Sequence, residues 1–451
     1  MKRFLDTIKH IWKIEELRNK ILITLGFIAV YRFGSFVVLP GIDTNALNQY
    51  TEQAQKGLQG LIDIFAGGAF SRASIFALGI MPYISASIVI QLMGIAVPYF
   101  QRLQKEGESG RNKQNQITRL LTIAITVVQA FSYLINLQNQ SESGVIVDDM
   151  SQGLFMAVNV ILLTTGTLFV MWLGEKITDR GIGNGISIII MIGIIARFPQ
   201  SIAQEVANRM SGEGAGLIVL ILEVVILLFV ILLTVMLVQG VRRVPVQYAK
   251  RVIGNKPQGG KRDFLPLKVN ASGVMPIIFA QALMFLPAAF AGLFPDSDSM
   301  SALSVAFNDY TGWVYNLTFA VLIIAFTYFY TAVTINPTQI ADDLKRNGGF
   351  VPGIKPGKDT ADFIDEVMSR ITFPGSLFLA AVAIFPAFAM IFGVDQGFAY
   401  FFGGTSLLIM VGVILDTIQQ INSHLLMKRY DGLLRSGRAK GRATSSVGGI
   451  A

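Results

Sequence analysis

The chain has 451 residues, 52% of them apolar and only 15% charged, with a mean hydropathy of +0.55. Soluble domains carry about 25% charged residues. This composition therefore excludes a soluble globular protein and predicts an all-α polytopic membrane protein, since a β-barrel would show short alternating segments instead. The absence of cysteine excludes disulfides, thiolate metal sites and a cysteine nucleophile. The formal charge of +8 tells most by where it sits.

Residues 1–20 are basic and amphipathic, with Phe4, Ile8, Ile11 and Trp12 at helical spacing, and are expected to lie at the headgroups. They have no early apolar core or small-residue cleavage site, so they are not read as a cleaved signal peptide. Ile21–Leu39 is the first expected span, stopped by Pro40-Gly41. The glycine-broken run that ends at Met93 is too long for one span, because about 20 residues cross a bilayer. It reads as a re-entrant piece at Leu61–Phe70, a turn, and a second span over Ser74–Val97. Non-helical backbone at membrane depth survives only within protein or beside water. A cavity is therefore expected here.

Further spans are expected at Ile117–Leu137, Leu154–Leu173, Gly185–Ala196, Leu217–Gln239, Gly273–Phe294, Trp313–Thr334, Phe373–Phe392 and Phe398–Gln419, making ten. With the first end inside, all but five of the 37 Lys and Arg fall in the inner segments 1–20, 98–119, 174–182, 240–272, 335–372 and 420–451. The exceptions are Arg32, Lys56, Arg72, Arg197 and Arg209. Basic residues are retained on the cytoplasmic side during insertion, so both ends are expected inside. Ten spans divide as five plus five, an arrangement that inverts one half against the other. The expected segments are an N-terminal segment 1–20, an N-terminal half 21–239 with spans one to six, a basic hairpin 240–272, a C-terminal half 273–420 with spans seven to ten, and a basic tail 421–451.

Few residues within the spans carry charge. Arg32, Glu223 and Asp416 each read as a snorkelling or locally paired group, and no acidic pair or histidine relay emerges. No GxSxG, HExxH or P-loop occurs, and GIGNG at Gly181–Gly185 lacks the strand and third glycine of a dinucleotide fingerprint. Neither catalysis nor a cofactor is expected. Ile80 and Ile84, like Ile186 and Ile190, share a helix face at i, i+4 beside broken helix starts. A ring of such side chains blocks ions by dewetting while yielding to a passing chain.

The inner loop 240–272 alternates Val244, Val246 and Tyr248 with polar residues, turns at GNKPQGG, and extends again, which predicts a basic β-hairpin. Such a projection suits an acidic partner, including RNA phosphates, or anionic lipid. The GGFVPGIKPG segment of the loop Asn336–Thr372 has the turn chemistry of a rigid folded loop. The residues alone leave three readings open: a passive protein-conducting channel, a secondary transporter of a small solute, and a scaffold without a pore.

Several runs resemble the SecY family, the central subunit of the bacterial protein-translocation channel. They are FSRASIFALGIMPYISASIVIQL (Phe70–Leu92), KEGESGR (Lys105–Arg111), MWLGEKITDRGIGNGISIII (Met171–Ile190), LPLKVNASGVMP (Leu265–Pro276), FVPGIKPG (Phe350–Gly357) and FGGTSLLI (Phe402–Ile409). The resemblance implies two five-helix inverted halves around an hourglass pore, spans one to five forming one half-channel. It implies a constriction ring of Ile80, Ile84, Ile186, Ile190, Ile278 and Ile409, and a re-entrant plug helix at about 61–72 that includes Leu61, Ile62, Ile64, Phe65, Gly67, Gly68, Phe70 and Arg72. A lateral gate would open to lipid between spans two and three on one side and seven and eight on the other. Ser85, Ser87, Gln91, Gln129, Asn270 and Gln281 are placed along it. Docking of the ribosome, through rRNA contact, and of the SecA ATPase would fall to Arg242, Arg243, Lys250, Arg251, Lys345, Arg346, Lys355 and Lys358. Lys355 stands where the family usually has arginine, and lysine keeps the charge without the bidentate fork. The resemblance also implies small SecE-like and SecG-like subunits, signal sequences and unfolded preproteins as cargo, contact with membrane lipids, and a bacterial inner-membrane location.

Overall fold

The structure is a computed structural model that describes residues 12, 14–43, 60, 63–139, 151–210, 216–248, 251–253, 256–258, 262–281, 283–284 and 311–443. Leu61, Ile62 and Lys250, most of the segment 1–20, and the seventh span beyond residue 284 lie outside the described residues.

The chain forms two compact units. The first comprises Met1–Thr51, Asp63–Ala196 and Val413–Ala451. It contains α1 (Glu15–Gly34), α2 (Met81–Ala96), α3 (Pro98–Lys105), α4 (Glu108–Asn139), α5 (Gln152–Arg180) and the start of α6 (Gly185–Met210). In this unit α4 packs against both α2 and α5, and α1 lies along α5. The second unit comprises Glu52–Ile62 and Arg197–Gly412. It contains α7 (Gly216–Gln239), the strands β1 (Val241–Tyr248), β2 (Arg251–Ile253), β3 (Lys256–Gln258) and β4 (Arg262–Lys268), a helical stretch at 275–281, α8 (Trp313–Thr334), α9 (Pro337–Arg346), β5 (Gly349–Phe350), α10 (Lys358–Ile391) and α11 (Gln396–Ala399). Here α10 is the central helix, contacted by α7, α8 and α9. The last helix, α12 (Gly404–Ala443), begins in the second unit and ends in the first.

The all-α polytopic expectation is borne out. Seven described helices are long and apolar enough to cross a membrane, or eight if Met81–Gly94 and Pro98–Gln104, bent by 98°, count as one broken span. Pro98 opens the second member of that pair, where its missing N–H costs nothing. The count of ten stays a reading of the sequence. It adds α1, which carries Glu15, Glu16, Arg18, Lys20 and Arg32, and the partly described seventh span.

Several boundaries differ from expectation. The first helix ends at Gly34, and the expected remainder of that span is extended: Leu39 N–H donates to the Ala73 carbonyl at 2.9 Å and Ile75 N–H to the Val37 carbonyl at 2.9 Å. The expected second span begins only at Met81, where Pro82 sits in the first helical turn. The fifth span does not stop at Ala196. It continues through Pro199 to Met210, because Arg197 is buried, its Nη1 donates to Gln200 at 3.1 Å, and Ser201 Oγ donates back to the Arg197 carbonyl at 3.2 Å. The last helix runs past the expected span end at Gln419 to Ala443, through much of the basic tail.

Candidate functional site

The expected plug helix is, among its described residues, one helical turn at 63–65 followed by a run of turns from 66 to 80. Gly67 and Gly68 have φ of 65° and 83°, a region that costs glycine little and other residues much. Ile64, Phe65, Gly67, Gly68 and Phe70 are all buried and Arg72 is half-buried. Buried backbone outside a helix needs partners for its polar groups. Side chains of the first unit supply them. Tyr133 Oη donates to the Phe70 carbonyl at 2.8 Å, Tyr31 Oη to the Ala66 carbonyl at 3.4 Å, and Asp63 Oδ1 accepts from Ser71 N–H at 2.8 Å. Arg32 Nη1 and Arg72 Nη2 both donate to the Gly67 carbonyl, at 3.1 and 2.9 Å. Both guanidinium groups also face the Phe36 ring, 5.2 and 4.4 Å from its centroid.

Arg32, expected as a snorkelling or locally paired charge, instead binds a backbone carbonyl and an aromatic face. Tyr31, Phe36, Asp63 and Tyr133 are partners that no sequence signal marks, since each looks like an ordinary span or loop residue. Tyr133→Phe removes one of two donors to the Phe70 carbonyl, the other being Ala73 N–H at 3.2 Å, and keeps the ring contact at 4.8 Å. It is expected to cost about 0.5–1.5 kcal/mol, read as a lower thermal midpoint of the purified protein.

The isoleucines at the helix starts lie next to this stretch in sequence. Ile80 caps α2, and Ile84 N–H donates to its carbonyl at 3.1 Å, so the two share a face. Ile80, Ile84, Ile190 and Ile409 are buried, while Ile186 and Ile278 are half-buried. Four of the six belong to the first unit, and Ile278 and Ile409 to the second. The start of α6 is held by its glycine-rich turn. Ile182 N–H donates to Thr24 Oγ1 at 3.1 Å, Gly183 N–H to Gln420 Oε1 at 2.9 Å and Gly185 N–H to Thr178 Oγ1 at 2.9 Å. A side chain at Gly185 would strike the Gly174 carbonyl, so α5 and α6 meet backbone to backbone there.

The gate candidates are polar groups on helices or at their starts. Ser85 Oγ donates to the Met81 carbonyl at 3.1 Å, and Gln91 Nε2 to Ser87 Oγ at 3.2 Å. Gln129 is half-buried on α4. Asn270 and Gln281 are buried, and Ser272 Oγ donates to Asn270 Oδ1 at 3.4 Å.

The β1–β4 hairpin and the loop that carries β5 form one body in the second unit. β1 pairs antiparallel with β4, Val244 opposite Leu265, and also with β5, Gln247 opposite Phe350. Val244, Val246 and Leu267 of the hairpin bury with Leu344, Val351, Ile364 and Met368 in a core outside the spans. The hairpin and the folded loop were expected; their union in a single sheet was not. Asn336 caps α9 by accepting from Gln339 N–H at 3.3 Å. Arg242, Arg243, Lys345, Arg346, Lys355 and Lys358 are exposed on this body, and Arg251 lies in the β2–β3 tip.

A second charge cluster was missed. Arg209 Nε donates to Glu205 Oε1 at 2.7 Å and Nη2 to Glu223 Oε1 at 2.6 Å, all three residues being buried. Glu223 is therefore the locally paired charge that the sequence predicts, whereas Arg209 and Glu205 lie beyond the expected end of the fifth span at Ala196. Asp416 is exposed and accepts from Gln420 Nε2 at 3.2 Å.

Comparison with known proteins extends over nearly the whole chain. The SecY family model matches residues 74–418. The protein translocase subunit SecY of Chlamydia muridarum is 41% identical over 456 residues, covering 97% of this chain and 99% of that protein. The one from Halalkalibacterium halodurans is 43% identical over 434 residues, covering 95% and 99%. Among solved structures, a protein-conducting channel matches with a TM-score of 0.60 at 17% identity, covering 90% of this chain and 92% of that one. Sec61 from a canine ribosome–channel complex matches at 0.55 and 16%, with the same coverage. Identity of this order along almost the full length of both chains is not the sharing of a fragment or of a helical architecture alone: this chain belongs to the SecY family.

Proposed function

We propose that this chain is the channel-forming subunit of a protein translocase in the bacterial membrane. It would pass unfolded secretory proteins across and release membrane segments laterally into the lipid. The observation that carries this reading is the near-complete match to translocase subunits. The buried non-helical stretch 66–80 supports it, because backbone of this kind belongs beside a cavity rather than in lipid. The charges a solute transporter would need are engaged elsewhere, Arg32 with Gly67 and Glu223 with Arg209. The test is reconstitution of the chain with its small subunits in vesicles, followed by protease-protected uptake of a secretory precursor driven by the motor ATPase. Absence of uptake under conditions where a relative is active would overturn the reading.

Within this function, the halves 21–239 and 273–420 line an hourglass pore, six isoleucines form its ring, residues 61–72 plug it, and both ends are cytoplasmic. Signal sequences engage the gate at Ser85, Ser87, Gln91, Gln129, Asn270 and Gln281. SecE-like and SecG-like subunits clasp the channel, and SecA and the ribosome supply the drive. The exposed cations on the three-stranded sheet suit a phosphate-rich partner. Reversing Arg242 and Arg243 to glutamate is expected to weaken ribosome binding by about tenfold at moderate salt, measured by co-sedimentation. Both residues are exposed and take no part in the core formed by Val244 and Val246, so folding is expected to be unaffected.

A further inference from the structure

We infer that Gly193 on α6 is the seat of the plug turn, and that Arg32 and Arg72 hold the turn down on it, so that these three residues set how tightly the channel closes at rest. The inference rests on the channel reading above. The turn at Phe65–Gly68 meets α6 backbone to backbone. A Cβ added at Gly193 would lie 2.5 Å from the Phe65 carbonyl oxygen and 3.3 Å from Gly67 N. A Cβ at Gly67 would lie 2.9 Å from Gly193 Cα. Backbone atoms on both sides leave no flexible side chain that could yield, so only glycine fits at position 193. Gly193 follows Ile190 by three residues on the same helix, which couples the seat to one of the ring isoleucines.

The other side of the turn is held by charge. Two guanidinium groups converge on one carbonyl, that of Gly67, and share the Phe36 face. Two like charges stay this close only while both keep those partners, and Arg72 Nε is buried without a hydrogen bond. Loss of either arm removes one of the two hydrogen bonds to the Gly67 carbonyl and one of the two cations on the Phe36 ring. Lysine would supply charge without the planar fork that reaches both carbonyl and ring.

The test uses the complete complex in vesicles. The chain has no cysteine, so Ser71→Cys, a near-isosteric change at a buried residue of the turn, gives this chain a single thiol. In that background Gly193→Val is expected to raise resting ion conductance about tenfold, the scale on which overpacking a well-fitted contact acts. It is also expected to expose Cys at position 71 to a water-soluble maleimide, while precursor uptake continues. Arg72→Gln and Arg32→Gln are expected to do the same without adding bulk, and Arg72→Lys to fall between. Parental conductance and thiol protection in Gly193→Val and in Arg72→Gln would overturn the seat. If Gly193→Val does not accumulate, the two glutamine variants decide. A parental complex that takes up no precursor would overturn the channel reading instead, and thiol protection would still decide the seat.

Discussion

Arg209→Ala is expected to lower the stability of the protein by about 3–5 kcal/mol, the cost of leaving buried carboxylates without their cation. Arg209 is 9% exposed, Glu205 1% and Glu223 4%. The guanidinium touches both carboxylates and also donates from Nη2 to the Gly393 carbonyl at 2.8 Å. Glu205 Oε2 in turn accepts from Asp395 N–H at 2.9 Å, and Asp395 Oδ2 accepts from Gly397 N–H at 3.0 Å to start α11. One side chain thus fastens α6, α7 and the connection after α10. A neutral version, Arg209→Met with Glu205→Gln and Glu223→Gln, is expected to be far less damaging, because no charge is then buried. Glu223→Gln alone is expected to be close to neutral, since Oε2 is buried with no hydrogen bond while Oε1 carries the pairing. Thermal unfolding of the purified variants measures this. A loss below about 1 kcal/mol for Arg209→Ala would show that the cluster does not hold these elements.

Ile84→Gly with Ile190→Gly is expected to raise resting ion conductance about tenfold or more, by admitting water where branched apolar side chains exclude it. Both isoleucines are buried, at 8% and 3% exposure, and stand near the starts of α2 and α6 in the first unit. Valine at both positions is expected to keep the seal, because it keeps the branching. Asparagine is expected to break it, because its amide binds water. Planar-bilayer recording without substrate measures the effect. Cys at position 71 is expected to stay protected in these variants, which separates a leaking ring from an unseated plug. Unchanged conductance in both the glycine and the asparagine variants would remove the ring assignment.

Much of the architecture could be read from local features, because each depends on neighbours in sequence. The apolar run Trp313–Thr334 was expected as a span, and the helix has those limits. The hairpin showed in the alternation of Val244 and Val246, which do face inward. The broken stretch after the first span showed in its glycines. The errors came where a helix outruns its most apolar run. The expected fifth span stops at Ala196, yet the helix continues through Pro199 to Met210, with Arg197, Gln200 and Ser201 bonded within it. That early stop put Arg209 in a loop and hid its cluster with Glu205 and Glu223.

The sequence by itself determined the membrane class, the family and the stretch that could not be a simple span. Apolar length is a property of a segment and needs no fold. Only the tertiary structure decided that the Gly67 carbonyl is shared by Arg32 and Arg72, that Gly193 lies beneath that turn, and that two separate loops become one sheet. Apart from Arg72, five positions from Gly67, these contacts join residues 35 to more than 100 positions apart, and what selects them is shape and the need to satisfy buried polar groups. Neither leaves a periodic mark in the chain.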